Sequence, residues 1–291
     1  MTSPIVALAL LLPLWLVPVS GTRAAASADP VITAAGDIAS GGEPSEPQIR
    51  TARLVRSIGP TAALTLGDNQ YPDGALADFE SSYDPTWGRF TSITRPVPGN
   101  HDYHIAGADG YFDYFGPRAH RSHGGYYSYD LGDWHLVAVN SGTGAISDRQ
   151  LRWVRRDLRR SQARCELAYW HHPRWSSGSQ HGSDEDMAAL WRVLFRAGVD
   201  VVLNGHEHDY ERFAPLTPTG RRAPRTGIRE FVVGTGGAGP YGFGDPISGS
   251  QVRITGAYGV LEMTLHPDGY RWEFVRTGGK ILDGGRHACH A

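Results

Sequence analysis

The sequence has 291 residues, 40% hydrophobic and 20% charged. That is a globular composition with enough apolar material for one large α/β domain or two small ones. A formal net charge of −2 gives the chain as a whole no pull toward nucleic acid or an anionic membrane. Of its 28 Lys and Arg residues only Lys280 is a lysine, a bias to which no function is attached.

In chain order, residues 5–19 form an apolar run interrupted by Pro13 and Pro18, followed by Ala24-Ala25-Ala26. The run is too short and too proline-rich for a permanent membrane helix, and it fits the apolar core of a cleavable export signal. The usual Lys or Arg is missing before it. The expected division is a signal over residues 1–28 and a single domain over residues 29–291, with secretion and no membrane anchor. Residues 31–35 and 62–66 are β-like. Residues 71–129 are aromatic and rich in Gly, Pro and Asp, and are expected to form irregular loops over one end of a sheet. Residues 147–160 carry Leu151, Val154 and Leu158 at helical spacing, with Arg on the other faces.

After a strand at residues 167–170, Ser183 reads as the N-cap of a helix carrying Met187, Leu190, Trp191, Leu194 and Phe195, ended by Gly198. Residues 199–203 are β-like. From residue 229 the pattern turns to β, with runs at 230–234, 259–265 and 269–276 and a Pro267-Asp268-Gly269 turn. Strands alternating with helices at this spacing predict an α/β layer fold. Cys165 and Cys289 are the only cysteines. A bridge in an oxidising compartment and two free thiols both remain open.

Four Gly-Asp dipeptides occur where chance alone gives about two or three, so the dipeptide by itself is uninformative. Context separates them. Asp37 and Asp68 each close an apolar run, and ligands bind beyond the carboxyl ends of strands in open α/β sheets. Three more runs lead into Gly99-Asn100-His101-Asp102, His171-His172-Pro173 and Gly205-His206-Glu207-His208. Parallel strands in sequence are expected to line these groups along one edge. Carboxylate, amide and imidazole donors without thiolate suit iron, zinc or manganese. Asp68 lies between the two halves of the set and is placed to bridge two ions, and Tyr71 adds a phenolate that favours ferric iron. Two ions about 3.5–4 Å apart polarise a phosphoryl oxygen and activate water at neutral pH.

The ordered motifs Gly36-Asp37, Gly67-Asp68-Asn69-Gln70-Tyr71, Gly99 to Asp102, His171-His172-Pro173 and Gly205 to His208 resemble those of the calcineurin-like metallophosphoesterases, and Tyr71 points within them to the purple acid phosphatases. The resemblance spans roughly residues 31–213. It implies a four-layer α/β/β/α sandwich. It also implies a ferric site of Asp37, Asp68, Tyr71 and His208, and a divalent Fe, Zn or Mn site of Asp68, Asn100, His171 and His206. His101 and His181 are implied as outer-shell groups, either able to protonate a leaving alkoxide. Ala39 stands where the family usually has Gly.

The expected reaction is hydrolysis of a small phosphate monoester, with a phosphodiester or nucleotide substrate as the alternative. A non-catalytic phosphate- or metal-binding protein and a two-metal amide hydrolase are the remoter readings. No nucleic-acid scaffold is expected. His172, His104, His120, His123 and His135 read as structural. The Gly234-Thr235-Gly236-Gly237 run is either a phosphate cradle or, the preferred reading, the last loop around the site.

Overall fold

The computed structural model describes Met1 and residues 28–290. The expected signal segment falls almost wholly outside these residues. No helix among them is long and apolar enough to cross a membrane.

The chain opens with β1 (Val31–Ala35), α1 (Glu46–Ile58), β2 (Ala62–Leu66) and β3 (Thr94–Val97). Helix α2 (Asp109–Phe115), strands β4 (Tyr127–Leu131) and β5 (Trp134–Ala138), and helix α3 (Asp148–Leu158) follow. Next come β6 (Cys165–Tyr169), α4 (Ala188–Ala197), β7 (Val201–Asn204), β8 (Tyr210–Phe213) and β9 (Arg229–Val233). The described chain ends in β10 (Ser250–Ile254), β11 (Gly259–His266), β12 (Gly269–Arg276) and β13 (Ile281–Ala288).

Local chemistry sets the helix limits. Ser45 and Gln48 form a reciprocal capping box at the start of α1, and Gly59 closes it in the left-handed conformation. Ser147 caps α3 by accepting from the Gln150 amide. The expected cap at Ser183 is not formed. Its hydroxyl turns back to accept from the Ser176 amide at 3.0 Å, and Asp184 caps a short 3-10 turn that leads into α4. Gly198 ends α4 as expected.

One sheet runs β13-β12-β11-β1-β2-β3, with β1, β2 and β3 parallel and the C-terminal meander antiparallel. The other runs β10-β8-β9-β7-β6-β5-β4, parallel from β5 through β6 and β7 to β9. Alternate side chains along the second sheet separate its two faces. Leu136, Leu167, Leu203 and Phe231 join Ile32, Leu64 and Leu261 of the first sheet in the core between the sheets. Val137, Ala168, Val202 and Val232 instead pack against Val154, Leu158, Leu190 and Leu194 of α3 and α4. On the first sheet, Ala52, Leu54 and Val55 of α1 are buried. The fold is the expected four-layer α/β/β/α sandwich.

The expected single line of strand exits is corrected here. The exits of β1, β2 and β3 lie in one sheet and those of β6 and β7 in the other. The site is therefore built where the carboxyl edges of two stacked sheets meet.

Candidate metal centre

Backbone conformation distinguishes this edge before any side chain is considered. Among the described residues five non-glycine residues have positive φ, and Asp37 (φ 59°), Asp68 (φ 48°) and His206 (φ 73°) are three of them. Each follows a glycine at a strand exit. Left-handed backbone at such residues costs free energy and persists where the surroundings enforce it. Gly67 (φ +87°) shows why the preceding residue is glycine, since a Cβ there would lie 2.5 Å from the His171 ring.

The side chains form two donor sets that share one oxygen. In the first, Tyr71 Oη lies 3.0 Å from Asp37 Oδ1, 3.1 Å from Asp68 Oδ2 and 3.0 Å from His208 Nε2. His208 Nε2 is 3.4 Å from Asp37 Oδ1. In the second, His171 Nε2 lies 3.3 Å from the same Asp68 Oδ2, 3.0 Å from Asn100 Oδ1 and 3.1 Å from His206 Nδ1. The structure thus brings together Asp37, Asp68, Tyr71, Asn100, His171, His206 and His208, in the grouping the motifs implied.

The donor set fits cations. His171 Nδ1 is 2.8 Å from the Leu66 carbonyl and His208 Nδ1 is 2.6 Å from the Gly239 carbonyl. Each carbonyl holds the ring proton on Nδ1, so in the neutral ring Nε2 presents a lone pair inward. Lone pairs of nitrogen, carboxylate and amide oxygen then face one another at about hydrogen-bond distance. Protons relieve part of that repulsion, and cations would relieve all of it.

The electrostatics reflect the same crowding. Burial raises the Asp68 carboxyl, but the charge and hydrogen bond of His171 and the presence of His101 hold it well below the usual range. Burial would lower His171, yet Asp68 raises it to about 9. Burial, then Asp37 and Asp68, push the Tyr71 phenol well above its ordinary value. Burial and the neighbouring histidines push His206 down.

The two outer histidines sit differently. His101 is half-exposed at the site, its amide donating to Asp68 Oδ1 at 2.8 Å and its Nδ1 2.6 Å from the Pro72 carbonyl. Its Nε2 faces inward, 4.0 Å from Asp68 Oδ2. His181 is exposed and stacks on His206 with ring centroids 4.1 Å apart.

Several supporting residues carried no assigned role in the sequence. Buried Asp102 accepts from the Gly99 amide and the Asn69 side chain, both at 2.9 Å, and so ties the β2 and β3 exits together. Burial and the charge of Asp68 raise its carboxyl to about 7. Buried Glu207 accepts the His181 amide at 2.6 Å and anchors that loop. Tyr241 stacks on His208 at 3.8 Å. His172, read as structural, has its ring centroid 4.4 Å from that of His206 and its Nδ1 2.9 Å from the Ser141 hydroxyl, with a ring nitrogen near those of His171 and His206. Asp102, Glu207 and His172 lie inside the quoted motifs, so proximity was the available signal. Tyr241 had none.

The glycine run is the last loop around the site, as preferred. The Gly236 amide donates to the Gly36 carbonyl and the Ala238 amide to the Asp37 carbonyl, each at 2.9 Å, leaving no free amide cradle at those positions.

Comparison with known proteins agrees with this geometry. The calcineurin-like phosphoesterase family matches residues 24–210, well over half of the chain. The chain belongs to that family. The chain is 32% identical to purple acid phosphatase 21 of Arabidopsis thaliana over 213 residues, which cover 65% of this chain and 46% of the relative. It thus spans less than half of that relative. Its fold is similar to that of a purple acid phosphatase from yellow lupin seeds, with TM-score 0.71 and 17% identity over 91% of this chain and 54% of that one. It is similar also to GAP50, described as the anchor in the inner membrane complex of Plasmodium, with TM-score 0.69 and 14% identity over 91% and 90%.

Proposed function

We propose that this phosphoesterase is a secreted, dinuclear phosphatase that hydrolyses small phosphate monoesters. The observation that carries the reading is the pair of donor sets meeting at Asp68 Oδ2. Asp37, Asp68, Tyr71 and His208 would hold a ferric ion, and Asp68, Asn100, His171 and His206 a divalent Fe, Zn or Mn ion. Bound ions would supply Lewis acidity to the phosphoryl oxygens and activate water near neutral pH.

The protein's own contribution is positional. The carbonyls of Leu66 and Gly239 orient the two inner histidines, and the His101 amide turns the Asp68 carboxylate so that Oδ2 faces both sets. With Nδ1 bonded to the Pro72 carbonyl, His101 in its protonated form would give the Nε2 proton to the departing alkoxide, and His181 at the mouth would be the second donor. The phenol of Tyr71, 3.0 Å from His208 and Asp37, supports iron over zinc or manganese in the first set. The purple acid phosphatases among its relatives support the same choice.

Export is supported by the bridge between Cys165 and Cys289. Disulfides persist in oxidising compartments.

A chromogenic phosphomonoester and the matching bis-ester, assayed with the same metal-loaded protein, test the substrate assignment. The proposal expects kcat/KM for the monoester to exceed that for the diester by about tenfold or more, or about 1.4 kcal/mol in the barrier. A preference for the diester would replace it with the phosphodiesterase alternative.

A further inference from the structure

The near-neutral total hides a strongly segregated charge. Residues 147–164 contain seven arginines and two aspartates, a net +5 in a chain of −2, so the remainder carries −7. The structure gathers that charge on one layer. Arg149, Arg152, Arg155, Arg156, Arg159, Arg160 and Arg164 on and after α3, with Arg192 and Arg196 on α4, are all exposed. None of the nine makes an ion pair with another described residue. Of the two acids in α3, Asp157 is occupied by His135 and Ser128, and Asp148 makes no ion pair with another described residue.

The helices hold these cations in rows. Arg152 and Arg156, Arg155 and Arg159, and Arg192 and Arg196 are each four residues apart, which sets like charges about 5–6 Å from one another on a helix surface, an arrangement that by itself destabilises a helix. The negative C-terminal ends of the helices favour Arg155, Arg156 and Arg196 in the last turns. That effect does not reach Arg149 and Arg152 in the first half of α3. Between the helices, Arg155, Arg159 and Arg196 line a groove of about 380 Å³ floored by Val193 and Ala197.

We propose that the α3–α4 face is a docking surface for inorganic polyphosphate, whose repeated phosphates lie along the arginine rows and in the groove. Charge complementarity selects a polyanion, and guanidinium groups pair with phosphate oxygens bidentately. A flexible chain suits the face better than a bilayer, because the only exposed large hydrophobic side chains among the described residues are Met1, Leu76 and Ile281, none of them on α3 or α4. The face is separate from the metal centre and does not depend on its chemistry. Polyphosphate is favoured over a single-stranded nucleic acid, whose bases need aromatic side chains to stack on, because no aromatic residue of α3 or α4 is exposed.

The test uses the full metal-loaded chain and a triple variant, Arg155→Gln with Arg159→Gln and Arg196→Gln. Binding of end-labelled inorganic polyphosphate is followed by fluorescence anisotropy across a salt series. The parent is expected to bind with strong salt dependence. The variant is expected to bind at least roughly tenfold more weakly at low salt, with a log–log salt slope shallower by about 2. Turnover of a small monoester should not change, since none of the three touches the site, and thermal melting checks that the variant is folded. Single-stranded DNA of matched charge is expected to bind more weakly than polyphosphate across the salt series, and equal or tighter binding of the DNA would overturn the assignment. Unchanged affinity and slope in the variant would overturn it. So would full displacement by a small phosphate ester in both proteins, or capture by phosphatidylglycerol vesicles without polyphosphate binding.

Discussion

In the proposed centre, Tyr71 carries the choice of metal. Its hydroxyl is within 3.1 Å of two carboxylates and one imidazole, in surroundings that oppose a free phenolate. With ferric iron bound, Tyr71→Phe should abolish a visible tyrosinate-to-iron absorption band; a band that persists in the variant would remove Tyr71 from the ligand set. Gly67 makes a second residue-scale prediction. Gly67→Ala forces a left-handed alanine and drives its methyl into His171, and should lower stability by about 1–3 kcal/mol in thermal melting. Elemental analysis should show lower metal content, because the displaced ring is a proposed ligand. The inner set was legible because Asp, Asn and His at strand exits are both a motif and a position. The supporting carbonyls of Leu66 and Gly239 were not, because a backbone acceptor leaves no trace in residue type. The approach of His172 to His206 was not legible either, because it comes from the β6 and β7 exits lying side by side.

At the scale of elements, His135 joins three of them. Its ring on β5 lies 2.7 Å from Asp130 of β4 and 2.9 Å from Asp157 of α3. Burial alone would lower its pKa, but the two carboxylates raise it to about 9. A group raised on folding stabilises fully below its unfolded value near 6.5, and loses that contribution as pH rises through about 9. The parent should therefore lose melting temperature between pH 6 and 9.5, and His135→Gln should be lower at pH 6 with a flatter profile. Identical profiles would show that the triad contributes nothing. Helices α3 and α4 were readable from their apolar spacing, but the Ser183 cap was not formed because Asp184 starts the turn instead. The edge strands β4, β10 and β13 escaped the sequence reading. Their half-exposed patterns, as in β13, carry little of the apolar signal that marks a central strand.

For the whole molecule, the two-sheet arrangement is what converts separate strand exits into one site. Linear spacing suggested a single edge, and nothing in the spacing states that β3 and β5 belong to different sheets. The Cys165–Cys289 bridge spans 124 residues and joins the start of β6 to the chain just beyond β13, tying one sheet to the end of the other. Loss of such a cross-link typically costs about 2–5 kcal/mol. Cys165→Ser should lower the denaturant midpoint accordingly, and reduction of the parent should have the same effect; a midpoint unchanged by either would show that the bridge does not support the fold. The central claim, two ions sharing Asp68, is tested most directly by elemental analysis of the purified protein beside His206→Ala and His208→Ala. The account predicts two metal ions per parent chain and one in each variant, with a different metal lost from each. One ion in the parent, or the same metal lost from both variants, would contradict it.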